Sequence, residues 1–261
     1  MYPPHRSDQT KPEKSVSLPR ALSKLGYCSR SQGRDLVLAG RVQVNRVTRD
    51  NPSTRIDMNR DSISVDGRQI SASDRVYLML NKPRGLITTT SDDKNRDTVY
   101  HCLDDHLLPW VFPVGRLDKA SEGLLLFTND TQWAAGVIDP ATHVQKTYHV
   151  QVNRLIDDAI LQRLLAGVTD GTDHLRAREA RLLRHGSRNS WLEIIIDAGK
   201  NRHIRRMLSA VGLDVLRLVR TAIGPLRLGN LAKGEFRRLT QQEQTMLDVR
   251  NFTHRRPGAT L

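Results

Sequence analysis

Four apolar runs constrain this chain most: VYLMLNKPRGLITT, GLLLFTND, KTYHVQV and WLEIIIDAGK. Each is rich in leucine, β-branched or aromatic residues and is bounded by turn formers, the pattern of buried strands. Helical stretches over 157–166 and 202–211 fall among them without the regular strand–helix–strand rhythm of a parallel sheet. From about residue 77 to 246 the chain is therefore expected to form an α+β domain around a mainly antiparallel mixed sheet. At 261 residues, 38% of them hydrophobic, it has enough apolar side chain for that core and for a smaller domain beside it.

The segment before the sheet has a helical period. Leu18, Leu22 and Leu25 recur at helix spacing, and Gly26 offers a left-handed stop. Ser29 is placed to cap a second helix that runs through Leu36, Val37 and Leu38 to Gly40. RVQVN then puts Val42 and Val44 on one face of a short strand, and SISVDGRQI adds another alternating run around an Asp66-Gly67 turn. Arg20, Lys24, Arg30, Arg34 and Arg41 ride on the helix pair and its exit strand, where their charges can meet RNA phosphates. The expected boundaries are a disordered tail over 1–16, a small domain over 17–64, a polar connection over 65–76, the large domain over 77–246 and a basic tail over 247–261.

Charge narrows the partner. Lys and Arg number 41 against 28 Asp and Glu, a net +13. Residues 1–60 hold twelve basic and five acidic side chains, and residues 197–238 hold ten and three, so each region carries +7 and the rest is nearly neutral. Two basic regions on a neutral body suit one phosphate backbone touched at two places, although solvated charge placed for solubility gives the same composition. Cys28 and Cys102 lack metal-type spacing, and no GxGxxG or phosphate loop is present, so neither metal nor cofactor is expected. No apolar run is long enough to span a membrane. A soluble, unexported, cytoplasmic monomer is the expectation.

One segment can carry chemistry. PVGRLDKASEGLLLFTND sets Asp118 just before a short turn containing Ser121 and Gly123, at the mouth of an apolar strand, where a carboxylate is both accessible and held. Position alone leaves Asp118 readable as a turn or capping residue. The segment GRLDxxxxGLLLxTND is, however, similar to the catalytic motif of the RsuA-type family of ribosomal RNA pseudouridine synthases, in which the aspartate is essential. LNKPRG (80–85), KTY (146–148), GKNRHIRRML (199–208) and LVRTAIGPLRLGNLAKGEFRRLT (218–240) resemble further family segments in the same order. LPRALSKLGYCSRSQGRDLVLAGRVQVNRV resembles the S4 RNA-binding module. Two departures stand out: His203 where many members have Gln, and Thr131 where Gly commonly follows TND.

The resemblance implies a cofactor-free isomerisation. The N1–C1′ bond of a uridine breaks, the uracil turns, and C5 bonds to C1′. Asp118 would attack the ribose or abstract a sugar proton, and the sequence does not choose. Arg205 would be its guanidinium partner, keeping the carboxylate charged in a site shielded by RNA; its other reading is one more phosphate ligand. Tyr148 would stack on the extruded uracil near the C5 proton, yet its alternation with Val150 and Val152 reads equally as core. Arg116, Lys146 and Ile204 are expected in support, with Lys200, Arg202, Arg206 and Arg220 contacting RNA. The expected partner is ribosomal RNA or a ribosome-assembly intermediate. A non-catalytic RNA-binding or assembly factor on the same fold predicts loss of the aspartate, tyrosine or arginine, and all three are present. A glycoside hydrolase using Asp118 with Glu122 would need two carboxylates bracketing a sugar, for which four residues of turn give no reason.

Overall fold

Leu18 opens the first helix, α1 (Leu18–Lys24), and with Ala21 and Leu22 it buries the apolar stripe read from the sequence. The structure, a computed structural model, describes residues 15–248 except 91, 93, 95, 104–107 and 198, so the expected tails lie almost wholly outside the described residues. The chain divides into two units at Asp74 and Arg75.

In the first unit α1 ends at Gly26, whose φ of 75° needs no Cβ. Ser29 caps α2 (Arg30–Leu38) through a reciprocal box: its hydroxyl accepts from the Gln32 amide while the Gln32 side chain accepts from the Ser29 amide. The helices pack on a four-stranded antiparallel sheet ordered Val47–Thr48, Val42–Val44, Ile63–Val65 and Arg68–Ile70. Two of its hairpins turn on consecutive left-handed residues, Asn45-Arg46 and Asp66-Gly67, which match the strands' right-handed twist. Strand Arg68–Ile70 and the Ser73 amide, which donates to the Leu25 carbonyl, bring most of the expected 65–76 connection into this unit. Its sequence reads as polar because this edge strand offers only Ile70 to the core. Arg20, Lys24, Arg30 and Arg34 are exposed. Arg41 is exposed too, but its guanidinium forks onto Asp66 at 2.9 and 2.6 Å.

The second unit is built on one mixed sheet. Across it run Glu179–His185, Ser190–Ile196, Lys146–Val152, Val215–Ile223, Glu122–Thr128, Tyr77–Lys82 and Phe236–Arg238, with Phe112–Val114 and Leu226–Arg227 paired alongside. Every pairing is antiparallel except that of Val215–Ile223 with Glu122–Thr128. The expected α+β fold with a mainly antiparallel mixed sheet is what forms. Glu122–Thr128 is buried at every position because it has a core on each side. Leu125 and Phe127 face one with Tyr148, Val150, Ile194 and Ile204, while Leu124 and Leu126 face the other with Met79, Trp133 and Val137. An unbroken GLLLF run, in place of alternation, is the sequence form of that double burial.

The two helices read from the sequence are present as α4 (Asp158–Ala166) and α5 (His203–Ala210). Two more were not foreseen, α3 (Thr131–Ile138) and α6 (Gln241–Met246). Asp130 of the TND segment starts α3: its carboxylate accepts from the amides of Gln132 and Trp133 at 3.0 and 3.1 Å. No helix among the described residues is long and apolar enough to cross a membrane.

Candidate active site

The loop that carries Asp118 joins strand Phe112–Val114 to strand Glu122–Thr128, and each of the five carbonyls from Leu117 to Ser121 accepts from a different donor. Thr88 Oγ1 donates to Leu117 (2.8 Å), the Ser121 amide to Asp118 (2.9 Å), the Gly85 amide to Lys119 (2.8 Å), Arg205 Nη2 to Ala120 (2.9 Å) and Lys82 Nζ to Ser121 (2.9 Å). A loop held at five consecutive carbonyls places its carboxylate without first having to order it, which is what a reacting group requires. Gly123 lies inside the strand that follows and not in the turn. Its φ is 101°, and a Cβ there would sit 2.3 Å from the Arg220 carbonyl oxygen, so only glycine lets the two parallel strands meet.

Asp118 opens onto a cavity of about 210 Å³ in the second unit. Tyr148, Arg205, Arg116, Lys146 and Ile204 line it as well, so the residues named for catalysis and support come together from three separate segments. Tyr148 and Ile204 are at once cavity wall and core. Burial is also the first cause lowering Arg205 and Lys146 below their ordinary pKa values; Arg202 adds to it at Arg205, and Arg220 at Lys146.

Several assignments change. The guanidinium within 4 Å of the Asp118 carboxylate is that of Arg202, at 3.9 Å, while Arg205 holds the loop backbone at Ala120. Arg202 precedes α5 in the left-handed conformation (φ 49°), which α5 itself does not share, whereas Arg205 lies within the helix. Arg206, read as an RNA ligand, is occupied by Asp170 (2.5 Å) and Asp173 (2.9 Å) of the hairpin Val168–Asp170/Asp173–Leu175. Lys200 lines the cavity and also pairs with Asp173 at 2.7 Å. Arg220 is interior, 5% exposed, because it stands beside Tyr148 on the core side of strand Val215–Ile223. Glu122 forms no dyad with Asp118: Arg217 (2.8 Å) and Lys233 (2.6 Å) hold its buried carboxylate at a pKa of about 2, and it does not line the cavity.

Known proteins resemble this chain over most of its length. Residues 76–210 match the RNA pseudouridylate synthase family and residues 16–61 the S4 domain. The chain belongs to the RNA pseudouridine synthase family. An uncharacterized RNA pseudouridine synthase of Rickettsia bellii (strain RML369-C) is 38% identical over 225 residues, covering 86% of this chain and 97% of that protein. Another, of Aquifex aeolicus (strain VF5), is 34% identical over 233 residues, 89% and 93% of the respective chains. A crystal structure of a pseudouridylate synthase superposes with a TM-score of 0.62 at 28% identity, covering 89% of this chain and all of that one. The synthase thus has the RsuA-type architecture, an S4 module followed by a catalytic domain that isomerises uridine in RNA.

Lys82 is the residue of the synthase's loop support that the sequence reading passed over. The available signal was a lysine ending the apolar run YLMLNK. It is fully buried and donates to the Pro83 and Ser121 carbonyls at 3.0 and 2.9 Å. Burial lowers its pKa to about 8. In the folded synthase Lys82 releases its proton near pH 8, and in the unfolded chain near 10.5. Between those values the unfolded state binds more protons, so this group makes unfolding harder as pH rises. The urea-unfolding free energy of the wild type is expected to gain on that of Lys82→Met by up to about 3 kcal/mol between pH 7.5 and 10.5. Parallel stability curves for the two proteins would show that Lys82 is not buried as a perturbed cation.

Proposed function

We propose that this chain is a ribosomal RNA pseudouridine synthase acting in the cytoplasm, with Asp118 as its catalytic carboxylate. The observation that carries the reading is the convergence of Asp118, Tyr148 and Arg205 on one cavity, with the Asp118 loop braced at the five carbonyls from Leu117 to Ser121. The target uridine leaves its stack and enters the cavity, at a cost of roughly a few kcal/mol that contacts to the flanking RNA offset. Asp118 either adds to C1′ or removes the C2′ proton. In both cases the N1–C1′ electron pair leaves on the uracil. The ring turns and C5 bonds to C1′, either as the bond from Asp118 to C1′ breaks or as Asp118 returns its proton to C2′ of the glycal; the C5 proton then departs and N1 gains one. The product is an isomer of the substrate. Tyr148 supports the ring and stands near the departing C5 proton. Arg205 and Arg202 lend positive charge to the Asp118 side of the cavity and keep the carboxylate ionised when RNA excludes water. Arg20, Lys24, Arg30 and Arg34 of the S4 module add phosphate contacts, which hold the RNA without reading its sequence.

The RsuA-type motif set supports ribosomal RNA as the substrate, and the two basic regions suit a polyanion. Pseudouridine mapping of ribosomal RNA from cells lacking the protein is expected to show at least one missing site, restored by the wild-type gene. An unchanged ribosomal RNA map together with a site lost from another RNA class would overturn the substrate assignment and leave the enzyme assignment standing.

A further inference from the structure

Among the described residues, three buried side-chain polar atoms have no hydrogen-bond partner: Arg220 Nη2, Arg205 Nε and His203 Nδ1. All three belong to residues lining the Asp118 cavity. Folded proteins leave few such atoms, and three of them on the residues around one cavity indicate groups that a ligand can satisfy on entering it.

The chemistry of two of them is specific. Arg220 is interior, and its Nε donates to the Leu124 carbonyl at 2.7 Å, which leaves a fixed guanidinium with one arm unused. Among the described residues no carboxylate lies within ion-pair distance of it. Lys146 shares its wall, and the ammonium likewise makes no hydrogen bond or ion pair there; Asp197 is the acidic neighbour that acts on it. His203 is buried and its Nε2 lies 3.2 Å from the Arg176 carbonyl, so the ring proton sits on Nε2 and Nδ1 presents a lone pair. The residues around the cavity thus combine unused cationic donors with one unused acceptor. A pyrimidine with two carbonyl oxygens and a ring N–H complements that set. Cytosine, with an amino group and a bare ring nitrogen at the corresponding positions, would set donor against donor and acceptor against acceptor.

We infer that Arg220 and His203 read the imide edge of the target uracil, Arg220 donating to a carbonyl oxygen and His203 Nδ1 accepting from N3–H. Arg220, with Lys146 beside it, then has a second task. When the N1–C1′ bond breaks, its electron pair delocalises onto the ring carbonyls, and a fixed, desolvated guanidinium stabilises that charge more than it stabilises the neutral ring. No atom is gained or lost by this contact. It rests on the reading of the cavity as the uridine site.

The test uses the full-length protein and an unmodified ribosomal RNA transcript carrying tritium at uridine C5, which is released as pseudouridine forms. Single-turnover release, filter binding of the same RNA and thermal melting are measured together. Arg220→Met is expected to lower the release rate by about 100-fold while RNA affinity stays within about threefold, and Arg220→Lys to recover part of the rate. Should Arg220→Met not fold, the histidine pair decides: His203→Leu is expected to lose about tenfold in rate, and His203→Gln, whose amide oxygen restores an acceptor, to stay near wild type. Near-wild-type release by Arg220→Met, or equal losses in both His203 variants, overturns the inference. Asp118→Asn in the same assay tests the cavity reading separately: release by that variant removes Asp118 from catalysis without altering what the Arg220 and His203 rates report. A wild-type chain that releases no tritium sinks both.

Discussion

Asp118→Asn is expected to abolish pseudouridine formation, lowering single-turnover tritium release by at least about 10⁴-fold, while the protein folds and binds RNA as before. Both routes open to Asp118 need an anionic oxygen, to bond C1′ or to take the C2′ proton, and an amide supplies neither. The fold should tolerate the change. The Asp118 side chain is 37% exposed and its nearest cation is 3.9 Å away, an exposed contact of small net worth. The loop is held through its backbone, which the substitution does not touch. Removing a negative charge from a cationic cavity should leave RNA affinity equal or better. An Asn variant within tenfold of the wild-type rate would transfer the chemistry to another group.

Gly123→Ala is expected to be the most damaging small substitution in the catalytic domain. The new methyl group would lie 2.3 Å from the Arg220 carbonyl oxygen and 2.8 Å from its amide nitrogen, both backbone atoms of a central strand with no side-chain end to swing aside. The residue would also be forced to a φ of 101°, which L-residues rarely adopt. The strands must separate at their one parallel junction, which carries the Asp118 loop on one side and Arg220 on the other. A loss of at least about 4 kcal/mol follows, a large part of the stability of an ordinary domain, and the second unit should melt about 10 °C lower. Calorimetry of the full chain reads this directly. A melting point within 2 or 3 °C of wild type would mean that the junction is slack and the Asp118 loop beside it is not rigidly held.

Much of the fold was legible because its causes are local. Ser29 caps α2 and Gly26 ends α1 through hydrogen bonds and backbone angles that involve only near neighbours in sequence. The Asp66-Gly67 hairpin is of the same kind. The GLLLF strand was legible too, since double burial leaves a continuous apolar run. What escaped were elements whose reason lies elsewhere in the chain. Strand Arg68–Ile70, foreseen as the second arm of that hairpin, was nevertheless given to the 65–76 connection because, as an edge, it is mostly polar. Helix α3 was hidden by an Asp130 that reads as part of a catalytic segment but works as a cap, and that also accepts the Tyr77 hydroxyl at 2.9 Å.

The same division runs through the active site. The sequence by itself determined which residue types are present and, through an ordered set of motifs, that Asp118, Tyr148 and Arg205 belong together in an RNA pseudouridine synthase. Only the tertiary structure decided which charges are free. Arg202, Arg205, Arg206 and Arg220 are chemically alike in sequence. One reaches Asp118, one grips the loop at Ala120, one is held by Asp170 and Asp173, and one is buried beside Tyr148 with a donor unspent. A guanidinium's role is set by its desolvation and by the acceptors within 3 to 4 Å of it, and those acceptors come from segments far apart in the chain.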